Sequence, residues 1–198
     1  MQNQSRSSAT RQLLLDAARK ILIEQGYARL GEARVCEFAG VTRGALRYHF
    51  PEGLLDLLPV LLADIVDIEI AKIDSTGITN PRERIYLGLF AFAGGHTQTD
   101  SLALLELWMA ARGDSRLGER LTPILHTMDQ RIFRLEPGQE LEPDLLACRL
   151  LLHGASLHIF SGDFDRAKLA TAMQWVMSKW PLPDGLRERF AKKPGELA

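Results

Sequence analysis

The sequence predicts an all-α protein: an N-terminal three-helix helix-turn-helix domain followed by a second, larger helical domain. Three observations carry this. Apolar residues recur at three- and four-residue spacing along most of the chain. No stretch alternates apolar and polar residues with the two-residue period of a half-buried strand. Two short helical segments, Arg34–Ala39 and Val41–Phe50, are joined through Gly40, the sequence form of a helix-turn-helix.

Met1–Ala9 is polar and rich in Ser and Gln, which predicts a flexible arm over residues 1–9. Thr10–Gln25 is the first helix, with Thr10 as its cap and Gly26 as its stop. Leu14, Ala17, Ala18, Ile21 and Leu22 form its buried stripe, and Tyr27 packs back on that stripe. Leu30–Ala39 follows, with Val35 and Phe38 as its apolar contacts. Pro51-Glu52-Gly53 breaks the chain after Phe50. A long helix then runs over Leu54–Ile73, and Pro59 bends it or marks its true start. Pro81 suits the first turn of the helix that continues through Ala93. Gly94-Gly95 interrupts the pattern, Ser101–Arg112 resumes it, and Gly113-Asp114-Ser115 is a break or a kink. Arg116–Leu135 is helical, with Pro123 as a kink or boundary, and Pro143–Ser161 and Asp163–Trp180 complete the set. The expected division is residues 10–56 for the helix-turn-helix, 57–183 for the second domain and 184–198 for a charged tail.

Val41–Phe50 is the stretch that carries chemistry. Thr42 is placed to cap the helix, its hydroxyl accepting a hydrogen bond from a free backbone N–H. Leu46 and Phe50 lie four apart and anchor one face to a core. The other face carries Arg43, Arg47, Tyr48 and His49 beside the small residues Gly44 and Ala45. Arg, Thr, Tyr and His side chains bond phosphates and base edges, and small residues allow close approach. A thin apolar stripe under a donor-rich face suits a DNA major groove; a small helical hairpin with a solvated basic face is the simpler alternative.

Bulk properties narrow the classes. The net charge of −1 excludes a basic nucleic-acid coat, but residues 1–56 hold eight Lys/Arg against six Asp/Glu, and residues 57–198 hold sixteen against nineteen. Cys36 and Cys148 are far apart and outside any CxxC, so they form neither a zinc framework nor a disulfide scaffold. Buried, reduced cysteines in a cytoplasmic protein are the expectation. No signal peptide is visible. Apolar runs are broken by charge well short of the ~20 residues of a membrane span, so no membrane association is expected. No nucleophile elbow, Gly-rich phosphate loop, HExxH or carboxylate pair is present, and no catalytic residue, metal or cofactor is assigned.

The order Leu14-Leu15-Asp16-Ala17-Ala18, Gly26-Tyr27, eleven residues, Ala39-Gly40-Val41-Thr42, Gly44-Ala45-Leu46 and His49-Phe50-Pro51 resembles the N-terminal domain of the TetR/AcrR family of bacterial transcriptional regulators. The resemblance covers roughly residues 10–58. It implies a homodimer presenting Thr42–His49 of each subunit to a double-stranded operator, at half-sites about one helical turn or more apart. Thr42 and His49 match positions used on phosphates, and Arg43, Gly44 and Ala45 match positions near bases. Three departures stand out. Arg47 replaces the usual Tyr and can still bond phosphate or guanine. Gly53 and Leu54 stand where a phosphate-binding Lys is usual. Leu30-Gly31-Glu32 replaces the Thr-led start of the second helix, predicting a late or poorly capped start.

By the same resemblance, the later helices enclose a pocket for a small-molecule effector, with Phe90, Phe92, His96, Leu105, Trp108, Met109 and Arg112 as candidates. Periodicity alone makes the apolar ones core residues and leaves Arg112 at the surface. The last two helices would form a dimeric four-helix bundle through Leu150, Gly154, Leu157, His158, Met173, Val176, Met177 and Trp180. His153 and His158, five apart, do not share a face as a metal pair would, and read as core or interface residues. The function implied is a repressor released from its operator by an effector. The alternatives are a regulator acting through a protein partner or without an effector and, more distantly, a small helical enzyme.

Overall fold

The computed structural model describes residues 2–93, 99–161, 165–179 and 186. Among them the chain forms α-helices and no strand. They are α1 (Gln2–Gln25), α2 (Glu32–Ala39), α3 (Arg43–His49), α4 (Leu54–Ser75), α5 (Pro81–Ala93), α6 (Thr99–Gly113), α7 (Ser115–Phe133), α8 (Pro143–Ser161) and α9 (Arg166–Lys179). A single 3-10 turn, Tyr27–Arg29, links α1 to α2. No helix among the described residues is long and apolar enough to cross a membrane.

The helices pack as two compact units, residues 1–67 with 99–126 and residues 68–98 with 127–198. In the first, α1 is the central element, contacted by α2, α3 and α6. Leu14, Ala17, Ala18, Ile21 and Leu22 are buried as the spacing predicts, with Leu15 beside them. Helix α1 begins at Gln2 rather than Thr10. The Thr10 hydroxyl donates to the Arg6 carbonyl one turn back, at 3.0 Å, so Thr10 sits inside the helix instead of capping it. Nothing between Gln2 and Gln25 is Gly or Pro, so no breaker stops the helix short. Phe38 also departs from expectation. It is 40% exposed, with the Arg34 guanidinium over its ring, while Val35 and Cys36 are buried. The inward face of this short helix is centred between 35 and 36, about a third of a turn from Phe38.

Neither internal proline ends its helix. Pro59 lies in α4 and removes one backbone hydrogen bond. The helix continues because Leu57, Leu58, Leu61 and Leu62 are buried on both sides of it. Pro123 is likewise internal to α7. Gly113-Asp114-Ser115 is a true break, where the Asp114 carboxylate accepts from the N–H groups of Arg116 and Leu117 and caps α7.

The second unit is built on α5, which packs against α8 and α9. Its core includes Ile85, Tyr86, Leu89, Phe133, Leu145, Cys148 and Met173. Leu186, within the expected tail, is also buried there; the rest of 184–198 lies outside the described residues. Arg84 is the buried cation of this core, its side chain 0% exposed. It donates to Asp74 Oδ1 (2.7 Å) and to the carbonyls of Ile78 (2.9 Å) and Ile132, so one side chain ties α5 to the ends of α4 and α7.

Candidate nucleic-acid interface

Backbone geometry sets the angle between α2 and α3. Gly40 is in the left-handed region, φ 65° and ψ 31°. Its N–H bonds the Glu37 carbonyl and the Val41 N–H bonds the Cys36 carbonyl, the paired pattern that closes a helix C-terminus on a glycine. The chain is then extended at Thr42, whose Oγ1 accepts from the Ala45 N–H at 3.2 Å. Leu46 and Phe50 are buried and hold α3 against the core. Glycine turn, threonine cap and two anchors all follow the sequence reading.

The opposite face of α3 is open. Thr42, Arg43, Gly44, Arg47 and Tyr48 are exposed; Ala45 and His49 are half-buried. Tyr48 is 77% exposed, and its ring meets that of His49 edge to face with centroids 5.0 Å apart. A side chain at Gly44 would touch only the Thr42 hydroxyl, so the start of the helix has a flat approach. The face therefore offers hydroxyl, guanidinium, phenol and imidazole groups around a shallow centre, the donor set that phosphates and base edges accept.

Arg47 is the member of this set that turns back onto the protein. Its Nη2 lies 2.6 Å from Glu32 Oε1, its Nε 3.2 Å from Glu32 Oε2, and its Nη1 donates to the Pro51 carbonyl at 2.8 Å. Three of the five N–H groups of a guanidinium are thus spent inside the domain. Glu32 is the first residue of α2, whose cap, Gly31, supplies no side-chain bond, so this helix starts late and without a side-chain cap as expected. Gly53 completes the arrangement. It is buried, with φ +65°, and a Cβ there would overlap the Glu32 carboxylate. The sequence marks Arg47 by its place on the outer face but gives no sign of its pairing with Glu32, because fifteen residues separate them and no local period relates the two.

Within this unit, α6 and the first part of α7 are tied to the helix-turn-helix by polar contacts. The Arg19 Nε donates to Asp100 at 2.7 Å, and the Tyr27 N–H donates to Glu106 Oε2 at 2.8 Å. Arg120 of α7 pairs with Glu52 and Asp56, and Arg116 lies 3.7 Å from Glu52. The turn after α3 is acidic and held by arginines from α7, at the place where the resemblance would have a lysine.

The expected pocket residues divide between the units. Phe90 and Phe92 are half-buried on α5 in the second. Leu105 is buried on α6 in the first, where Trp108, Met109 and Arg112 are exposed. His96 lies outside the described residues. Of the expected interface residues, Leu150, Gly154 and Leu157 are exposed along α8, and His158, Val176 and Met177 are half-buried. Met173 points into its own unit's core instead, and Trp180 lies outside the described residues. Burial pushes His153 down to about 4, with Arg149 adding to the effect, so it is neutral at pH 7.

Comparison with known proteins places this geometry. The model of the tetR family of bacterial regulatory proteins matches residues 14–53, the span from the α1 core stripe to the turn after α3. The uncharacterized HTH-type transcriptional regulator Rv2912c of Mycobacterium tuberculosis is 30% identical over 146 residues, covering 71% of this chain and 74% of that protein. This chain belongs to the TetR family. The fold agrees with solved structures of TetR regulators. One from a Rhodococcus species has a TM-score of 0.66 at 20% identity, over 85% of this chain and 97% of that one. One from Haloarcula marismortui has 0.60 at 22%, over 86% and 96%. A transcriptional regulator from Saccharomonospora viridis, solved in complex with choline, has 0.59 at 18%, over 86% and 96%. The family is one of transcriptional regulators with a helix-turn-helix at the N-terminus, and α1–α3 are that domain here.

Proposed function

We propose that this TetR-family regulator is a homodimeric repressor that leaves its operator when a small-molecule effector binds the helical C-terminal part. The observation that carries the DNA-binding half is the capped helix α3, with Thr42, Arg43, Gly44 and Tyr48 exposed, Ala45 and His49 at its margin, and Leu46 and Phe50 fixing its back. Thr42 and His49 are assigned to phosphates, and Arg43, Gly44, Ala45 and Tyr48 to the groove. Dimerisation through α8 and α9 is supported by the exposed leucines of α8. An effector site is supported by family membership and by the choline held in a protein of the same fold. The polar ties from α6 and α7 to Arg19, Tyr27, Glu52 and Asp56 give an effector bound against α6 a route to the helix-turn-helix. An effector shifts the equilibrium only as far as its affinities for the two states differ.

The test is a binding assay at controlled salt, with purified protein and duplexes from around its own gene against a scrambled duplex. Binding preferred over the scrambled duplex and weakened by salt supports the reading. Equal binding to every such duplex, with no preferred sequence recovered from a random pool, overturns it.

A further inference from the structure

We infer that Arg47, Glu32 and Gly53 act as positioning residues for the recognition helix, and that Arg47 itself is not a phosphate contact. The inference rests on the DNA-binding reading above. The guanidinium of Arg47 bridges three places in the domain: the first residue of α2 through Glu32, the turn after α3 through the Pro51 carbonyl, and the buried Gly53 packed beside the pair. Helix α3 has only seven residues, and its buried anchors, Leu46 and Phe50, sit toward its end. Two apolar anchors on one stripe set the distance of a short helix from its core but leave rotation about that stripe soft. A two-pronged ion pair from its side to the neighbouring helix fixes that rotation, because a guanidinium and a carboxylate match in one plane. Rotation of α3 decides which of Arg43, Gly44 and Tyr48 faces a base edge.

Glycine at 53 is part of the same device. A Cβ there would overlap the Glu32 carboxylate where it now stands, so the pair holds this geometry only with glycine in the turn. The half-exposed guanidinium thus has its most favourable acceptors within the protein. Moving it to a phosphate would abandon a carboxylate at 2.6 Å and a carbonyl at 2.8 Å.

The experiment compares wild type, Glu32→Ala, Glu32→Gln and Arg47→Ala on two duplexes: an operator recovered from a random pool by the wild-type protein, and a random-sequence control. Melting temperatures are recorded for all four, and binding is read well below the lowest. Removing the charge of Glu32 makes the domain more cationic, so simple electrostatics tightens DNA binding. Positioning gives the opposite. Glu32→Ala weakens operator binding by roughly five-fold, the scale of a well-formed surface ion pair, without weakening binding to the random duplex. Arg47→Ala does the same, and its log–log salt slope on the random duplex stays at the wild-type value. Glu32→Gln, which keeps the shape and one acceptor, retains more operator preference than Glu32→Ala. A Glu32→Ala protein that binds the operator as tightly as wild type or more tightly overturns the inference. So does an Arg47→Ala protein that loses affinity equally for both duplexes with a slope flattened by about 0.9, the signature of one lost phosphate contact. If the pool yields no operator, the DNA-binding reading fails on its own, and additive losses in melting temperature for the Glu32→Ala, Arg47→Ala double variant then overturn the pairing itself.

Discussion

Gly53 packs against the carboxylate of Glu32, with no room for a Cβ between them and with its backbone at φ +65°. Gly53→Ala therefore meets two costs at once, the left-handed backbone and displacement of Glu32. The first alone is about 1 kcal/mol. A total loss of roughly 2 kcal/mol in urea unfolding is expected. Gly77, also at positive φ but with open space around it, is the control, where Gly77→Ala costs only the backbone part.

Thr42 caps α3 with a single hydrogen bond to the Ala45 N–H. A helix of seven residues has few backbone bonds of its own, so one cap is a large share of what defines its start. Thr42→Ala is expected to cost about 1 kcal/mol in unfolding, and Thr42→Ser to recover most of it. Operator binding falls further than stability if the hydroxyl also reaches a phosphate, which a comparison of the two variants on DNA at fixed salt measures.

These local features are the ones the sequence made legible. Gly40, Thr42, Leu46 and Phe50 act within a few residues of themselves, through backbone conformation, a cap or helical period. What stayed hidden depends on partners far along the chain. Arg47 carries no mark that Glu32 will face it, and nothing local to Arg84 marks its partners, which include residues at the ends of two other helices. Pro59 reads as a bend or a helix start and Pro123 as a kink or boundary, because local propensity cannot weigh the buried leucines that carry α4 past Pro59. The exposed side chains of Trp108 and Met109 show the converse: an apolar pattern at helical spacing marks a face, but not what covers it.

Arg84 has its whole side chain buried and holds Asp74 together with two backbone carbonyls. Arg84→Ala leaves a cavity and strands the buried Ile78 carbonyl, while Asp74 keeps solvent and Arg134, at a cost of about 3 kcal/mol. Arg84→Met refills the volume and recovers part of it. The pH dependence follows from Asp74, whose carboxyl is held below the usual carboxylate range by hydrogen bonds from Arg84 and Arg134. A carboxyl depressed in the folded state stabilises above its unfolded pKa, and that contribution is lost as pH falls through the folded value. The acid limb of the unfolding curve therefore lies below the ordinary carboxylate range and becomes shallower in Arg84→Met.

His153 has the opposite sign. Burial, with Arg149 beside it, pushes it from 6.5 down to about 4. Between those values the unfolded chain takes up a proton that the folded chain refuses, so stability falls as pH drops across the window, by on the order of 2 kcal/mol. His153→Phe removes this limb. Taking the difference between variant and parent isolates His153 from Asp129, whose burial-raised pKa acts in the reverse sense. A parent and variant with parallel stability curves from pH 7 to 4 would show that His153 titrates as an ordinary solvated imidazole.

The α8 leucines test the proposed dimer. Leu150 and Leu157 are 57% and 52% exposed on one side of α8, with Leu146 one turn before them. A side chain added at Gly154 would meet nothing within 4 Å in the chain itself, so the helix backbone is open to a close neighbour there. Met173 faces the other way, into its own core, and supports the monomer rather than the interface. Under the proposed homodimer, each leucine is buried twice, once from each copy. Leu150→Glu exchanges two such burials for two desolvated carboxylates, which raises the dimer dissociation constant by roughly a hundred-fold or more. Sedimentation at micromolar protein should show a monomer with unchanged helix content, while Met173→Ala, a core change, lowers the melting temperature and leaves the dimer in place. If the proposed dimer reads operator half-sites in pairs, Leu150→Glu also weakens operator binding at protein concentrations where the parent forms that dimer. A Leu150→Glu protein that still sediments as a dimer would move the interface off this face of α8.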